Sequence, residues 1–119
     1  MTEGNLFADL PGERLEEERF SEILARPRLK IERIVSAGQA SPPGFWYDQP
    51  WDEWAALLAG AARLRFENEA EARELSAGDH VLIPAHARHR VDWTSENPPA
   101  LWLAVHFEPD AGGAPLSLR

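Results

Sequence analysis

The chain contains no cysteine, so any chemistry it performs falls to imidazole, carboxylate, amide or hydroxyl groups. It has four histidines, His80, His86, His89 and His106. Three of them lie in one stretch, Gly78-Asp79-His80-Val81-Leu82-Ile83-Pro84-Ala85-His86-Ala87-Arg88-His89-Arg90-Val91. Gly78 marks a turn, Pro84 ends a short apolar run, residues 85–88 make a tight reversal, and His89 opens the returning strand. An imidazole in that position is a metal ligand or proton carrier if it faces a cavity, and a hydrogen-bonded core group if it faces a packed wall. His80 lies beside a turn aspartate, and His106 falls on the opposite strand face from Leu101, Leu103, Val105 and Phe107, so both read as bystanders.

These side chains need strands to hold them, and turn-formers cut the chain to strand length. Pro11-Gly12, Arg26-Pro27, Pro42-Pro43-Gly44, Gly60, Gly78, Pro84, Asn97-Pro98-Pro99 and Gly112-Gly113 leave little room for long helices. Leu29–Ser36 alternates, with Leu29, Ile31, Arg33 and Val35 on one face and Lys30, Glu32, Ile34 and Ser36 on the other. ARLRFENE, HVLIP and HRVDWT also read as strands, the last placing His89, Val91 and Trp93 together. ALWLAVHF is apolar on both faces, as a strand inside a closed or double-layered sheet must be. From Trp51 to Leu64 a helix competes on propensity, but Gly60 and the alternation beyond it favour strand-turn-strand. The segment around Leu15, Phe20, Ile23 and Leu24 reads as a short acidic helix or a strand. Eight or more short strands with frequent turns predict an all-β barrel or sandwich.

At 119 residues and 44% hydrophobic, the chain is expected to form a single domain, with residues 1–28 as an amino-terminal strand or short helix and 109–119 as a tail. Twelve Lys and Arg against twenty Asp and Glu give a net charge of −8, whose field opposes nucleic acid binding. Much of that charge sits in segments 13–22 and 67–74, read as solvated surface outside any site. No stretch reaches a membrane span and MTEGNLFADLPGE lacks a signal-peptide pattern, so no membrane association and a cytoplasmic location are expected.

The stretch from Gly78 resembles the second motif of the cupin superfamily: Gly, five residues, Pro, one residue, Gly, two residues, His, three residues, Asn. Gly78, Pro84 and His89 fall in register, while His86 takes the second Gly place and Trp93 the Asn place. The superfamily's first motif, His, one residue, His, three or four residues, Glu, six residues, Gly, is matched in spacing by Tyr47, Gln49, Glu53 and Gly60. The resemblance covers residues 29 to 108 and implies an all-β jelly-roll barrel, the cupin double-stranded β-helix. It also implies a homodimer, a small organic ligand and a divalent metal such as Zn, Fe, Mn or Ni.

By that resemblance Gln49, Glu53 and His89 are metal-ligand candidates, with His86 as a second imidazole leaning over the mouth. Each has a plainer alternative: His86 as a solvated hairpin tip, His89 as a buried hydrogen-bonding group. A neutral amide is a weaker donor than imidazole, and Tyr47 would ligate only as a phenolate. Glu53 and Tyr47 are the acid–base candidates, since a carboxylate directed into a barrel is costly unless a metal or a donor pairs with it. Asp48 and Asp52 read as surface. Arg88 and Arg90 read as exposed charges paired with Asp92 or Glu96. The aromatics Phe45, Trp46, Tyr47, Trp51 and Trp54, with Trp93 and Trp102 on strands lining the same barrel, are either packing or a platform for a small planar ligand. Three functions stay open: a metal-dependent enzyme, a ligand-binding or sensing module without turnover, and a structural dimerising barrel.

Overall fold

The computed structural model describes residues 1–110 and 112–117. Eight strands follow one another: β1 (Arg19–Arg26), β2 (Leu29–Ser36), β3 (Asp52–Ala59), β4 (Ala61–Phe66), β5 (Arg73–Ser76), β6 (His80–Ile83), β7 (His89–Thr94) and β8 (Ala100–Phe107). They form a five-stranded sheet in the order β1-β2-β8-β3-β6 and a three-stranded sheet in the order β5-β4-β7, with every pairing antiparallel. No helix among the described residues is long and apolar enough to cross a membrane. The architecture is the expected all-β jelly roll: of the two contested segments, Trp51 to Leu64 is strand, turn and strand, and the one around Leu15, Phe20, Ile23 and Leu24 is strand from Arg19 onward, with Leu15 outside it.

The chain passes from one sheet to the other at a single residue between β3 and β4. Gly60 has φ +77°, and a Cβ there would lie 2.3 Å from the carbonyl oxygen of Pro99. That corner admits only glycine. Beyond it, the inner faces of the two sheets share a core that includes Leu57, Leu64, Ile83 and Trp102. A second cluster lies on the opposite side of the five-stranded sheet, where Leu15 from the amino-terminal segment covers Val35, Ala37 and Leu101. β8 is therefore buried on both faces, which its unbroken apolar sequence required.

The inward face of β2 is the one carrying Glu32 and Ile34, whereas Val35 packs outward under Leu15. In β7 the expected alternation breaks. The β4–β7 register slips between Arg63 and Leu64, with Arg63 opposite Trp93 and Leu64 opposite Val91. The slip leaves Asp92 as an extra residue, buries Thr94 and turns Trp93 out, where the Arg63 guanidinium lies 5.2 Å from its ring. Trp93 thus does not line the barrel, although Trp102 does. The segment 67–74, read as charged surface, runs into β5, whose Leu75 belongs to the core.

Candidate functional site

Inside the barrel, polar side chains from five segments meet at a cavity of about 110 Å³. Glu32 comes from β2, Glu53 from β3, His89 from β7, His106 from β8, and Tyr47 and Gln49 from the stretch before β3. Ile34, Leu64, Ile83 and Trp102 supply apolar wall. The register explains the convergence. Glu53 is directly opposite His106 across β3–β8, and Tyr47 forms a bridge with His89, its N–H donating to the His89 carbonyl at 2.7 Å. Tyr47 then stacks on the His89 ring with centroids 5.4 Å apart.

The His89 Nδ1–H donates to the carbonyl of Ala87 at 2.8 Å, which leaves the Nε2 lone pair free. Burial pushes the His89 pKa down, against the smaller opposing effect of that bond. His89 is thus held neutral as a base. Glu53 is shifted the other way. Burial raises its pKa, nearby His106 lowers it in part, and the Glu32 carboxylate raises it further. The Tyr47 phenol is also held protonated, first by burial and then by Glu18, Glu53 and Glu32. It therefore acts as a hydroxyl donor and not as a phenolate.

His106 is locked into one tautomer. The Trp51 indole N–H can only donate, and it reaches His106 Nδ1 at 2.9 Å, so the proton of the imidazole lies on Nε2 and faces Glu32 Oε1 at 2.9 Å. Glu53 Oε1 is 3.9 Å from the same Nδ1. Gln49 Nε2 donates to Glu53 Oε1 at 3.3 Å, and Gln49 Oε1 is buried without a hydrogen-bond partner.

Four sequence candidates, Tyr47, Gln49, Glu53 and His89, are thus brought to one cavity. His86 is not. Its side chain is 68% exposed on the reversal, where Nδ1 bonds Asp48 Oδ1 at 2.7 Å. Its φ of +64° explains the motif: His86 fills a position that glycine usually holds, and its ring ties the reversal to the segment before β3. Asp52 does the same, accepting from the N–H of Ala85 at 2.8 Å. Asp48 and Asp52 therefore fix a loop where plain surface was expected. Arg88 pairs with Glu67 at 3.0 Å, while Arg90 pairs with Asp92 at 2.7 Å and donates to the carbonyls of Ser41, Pro42 and Phe45, anchoring the approach to Tyr47.

Glu32 and His106 were missed, and so was Glu18, which lines the cavity and accepts from Ser36 Oγ. One signal was available. His106 is the one charged-type side chain in β8, a strand otherwise apolar on both faces, and Glu32 shares a face of β2 with Ile34. Their meeting depends on β2, β8 and β3 being neighbours, which no local pattern encodes.

Of the residues that the motif pattern implies for a divalent metal, Glu53, His89 and Gln49 line this cavity, and the His89 Nε2 lone pair and Gln49 Oε1 have no hydrogen-bond partner there. Among the described residues no three His, Asp or Glu side chains are grouped to hold an ion. Both nitrogens of His106 are engaged, so a divalent metal would be held by His89, Glu53 and Gln49, where it would supply Lewis-acid polarisation of a ligand oxygen.

The inner cavity shares Glu32, Tyr47, Gln49 and His106 with a larger outer one of about 560 Å³, which opens beside the β1–β2 turn. The two make a continuous path from solvent to Glu53.

The chain matches the family model for the cupin domain over residues 33–106. It is 50% identical to a Ralstonia eutropha JMP134 protein described as a "putative mannose-6-phosphate isomerase", with a TM-score of 0.87 over 91% of this chain and 99% of that one. A cupin superfamily protein of Desulfitobacterium hafniense DCB-2 shares the fold at 17% identity and TM-score 0.70, over 91% of this chain and 93% of that one. A Streptococcus pyogenes protein of unknown function does so at 19% and 0.70, over 92% and 90%. No curated protein matches the chain. With the motif register, the barrel and the family match in agreement, this chain belongs to the cupin domain family.

Proposed function

We propose that the barrel binds a small hydroxylated carbonyl compound and moves a proton on it, as an isomerase does. The observation that carries the reading is the convergence of Glu53, Tyr47 and His89 on one cavity, with the pKa of the carboxyl raised and that of the imidazole lowered by burial. Neighbouring groups whose surroundings drive their pKa values apart are an acid and a base in waiting. The description of the 50% identical Ralstonia protein supports the same reaction class.

In such a step His89 Nε2 accepts the proton from the carbon next to the carbonyl, while Glu53 gives its proton to the carbonyl oxygen. The product is an enediol. Return of a proton to the neighbouring carbon, with loss of one from the other oxygen, completes the isomerisation and restores both side chains. Tyr47 donates to a substrate oxygen and stacks on His89, fixing the base. His106, held by Trp51 and Glu32, keeps Glu53 near its place without entering the exchange.

Mannose 6-phosphate incubated with the protein in D2O tests this, with proton NMR following the signal at C2. The wild type is expected to exchange that hydrogen for deuterium, and Glu53→Gln and His89→Asn each to slow exchange by about 100-fold or more. Exchange that is unaffected by either substitution, or no exchange with mannose 6-phosphate or fructose 6-phosphate, overturns the reading.

A further inference from the structure

We infer that the outer cavity is a subsite for the anionic group of the ligand, a phosphate monoester, held by Arg26 and Arg28 with help from Lys30. The inference rests on the proposed proton-transfer reading for the inner half of the ligand and adds the chemistry of its outer half.

The three cations come from the β1–β2 hairpin, whose turn is Pro27-Arg28, and all three line the outer cavity. Residues two apart on an extended strand project to the same side. Lys30, Glu32 and Ile34 therefore form one row running inward, with Arg28 in the turn beyond its outer end, and Glu32 and Ile34 do line the inner cavity. A ligand following that row passes the Arg28 guanidinium and the Lys30 ammonium before it reaches His106 and Glu53, and Arg26, opposite Leu29 at the end of β1, lines the same outer cavity.

The pairing of these cations points the same way. In a chain of net charge −8, most basic side chains have an acidic neighbour: Arg14, Arg63, Arg65, Arg73, Arg88 and Arg90 each form an ion pair. Among the described residues Arg19, Arg26, Arg28 and Arg33 form none; Arg33 is taken up by the carbonyls of Leu6 and Ala8, and of the four only Arg26 and Arg28 line the outer cavity. Arg26 donates only to the carbonyl of its neighbour Ala25, at 2.9 Å. Lys30 is partly engaged, 3.4 Å from Glu32 Oε2, and Glu108 is the other carboxylate in the outer wall. Two guanidinium groups left free at the mouth of the path to the acid–base pair suit a doubly charged phosphate, which each can hold with two parallel hydrogen bonds.

Trp51 offers a readout independent of turnover. It lines the outer cavity, is 40% exposed, and its indole N–H bonds His106. Titration of 15N-labelled protein with inorganic phosphate, following the Trp51 indole cross-peak assigned with Trp51→Phe, is expected to give a saturable shift. The double variant Arg26→Ala/Arg28→Ala is expected to weaken that binding at least tenfold, and Arg88→Ala, whose guanidinium is paired with Glu67 elsewhere, to leave it unchanged. With mannose 6-phosphate the same double variant should lose affinity tenfold or more, while its affinity for mannose stays the same. These arginines sit on an exposed turn, so the variants should fold, and circular dichroism and the melting temperature check that they do. A phosphate titration with no Trp51 shift, or a shift equally strong in the double variant, overturns the subsite. Arginine-dependent phosphate binding without deuterium exchange supports the subsite while removing the isomerase reading.

Discussion

Glu53 is the residue on which the proposed chemistry turns, and its cost to the fold is measurable. A buried carboxyl with a raised pKa binds its proton more tightly in the folded than in the unfolded chain. Its contribution to stability is thus fully present below the ordinary glutamate value of 4.5 and is lost as pH rises through the folded pKa. His89 acts in the opposite sense. Its lowered pKa makes stability rise with pH towards 6.5, but this contribution is common to wild type and Glu53 variants and cancels in their difference. Glu53→Gln keeps the shape and removes the titration. Thermal melts from pH 4 to pH 8 are expected to show the variant gaining on the wild type as pH rises from 4.5, by about 1.4 kcal/mol per pH unit inside the window. A constant difference across that range would mean that Glu53 ionises in the fold as it does in the unfolded chain. His86 teaches the converse lesson about residues. A histidine three positions from His89 invites reading as a second imidazole of the site, yet its positive φ and its bond to Asp48 give it a backbone task.

Elements decide which of these side chains meet. The corner at Gly60 sends β3 and β4 into different sheets and so sets the space between Glu53 on one and the wall residue Leu64 on the other. Gly60→Ala would need a left-handed alanine with its Cβ against the Pro99 carbonyl, and is expected to cost more than about 2 kcal/mol in urea unfolding. A loss under about 0.5 kcal/mol would show that the corner relaxes freely. Strand positions were legible in the sequence because turn residues and alternation are local: β2, β4, β6, β7 and β8 follow from them directly. The first-motif spacing also picked out Tyr47, Gln49 and Glu53, which line one cavity. Glu32 and His106 were not legible, because their meeting depends on the sheet order β2-β8-β3, a property of long-range pairing. Trp93 was misread for a different reason. One extra residue at Asp92 reverses the inside and outside of the rest of β7, and the sequence carries no mark of it.

At the scale of the whole molecule, the net charge of −8 sets the background against which the site operates. Most of the acidic residues are at the surface, some neutralised by arginine, while Glu32 and Glu53 are each only 8% exposed and share the barrel with two imidazoles. The barrel thus separates solvated charge outside from a small set of titratable groups inside, with Arg26 and Arg28 unpaired beside the outer cavity. The acid–base pair is the center of this picture, and it is open to direct observation without any substrate. NMR titration of protein labelled with 13C at the glutamate carboxyl carbons and 15N in the histidine rings follows each group separately. Glu53 is predicted to remain protonated after the surface glutamates have ionised, while His89 stays neutral, with its proton on Nδ1, at pH values below 6.5. A Glu53 that ionises together with the surface carboxylates, or a His89 that takes up a second proton above pH 6.5, would contradict it.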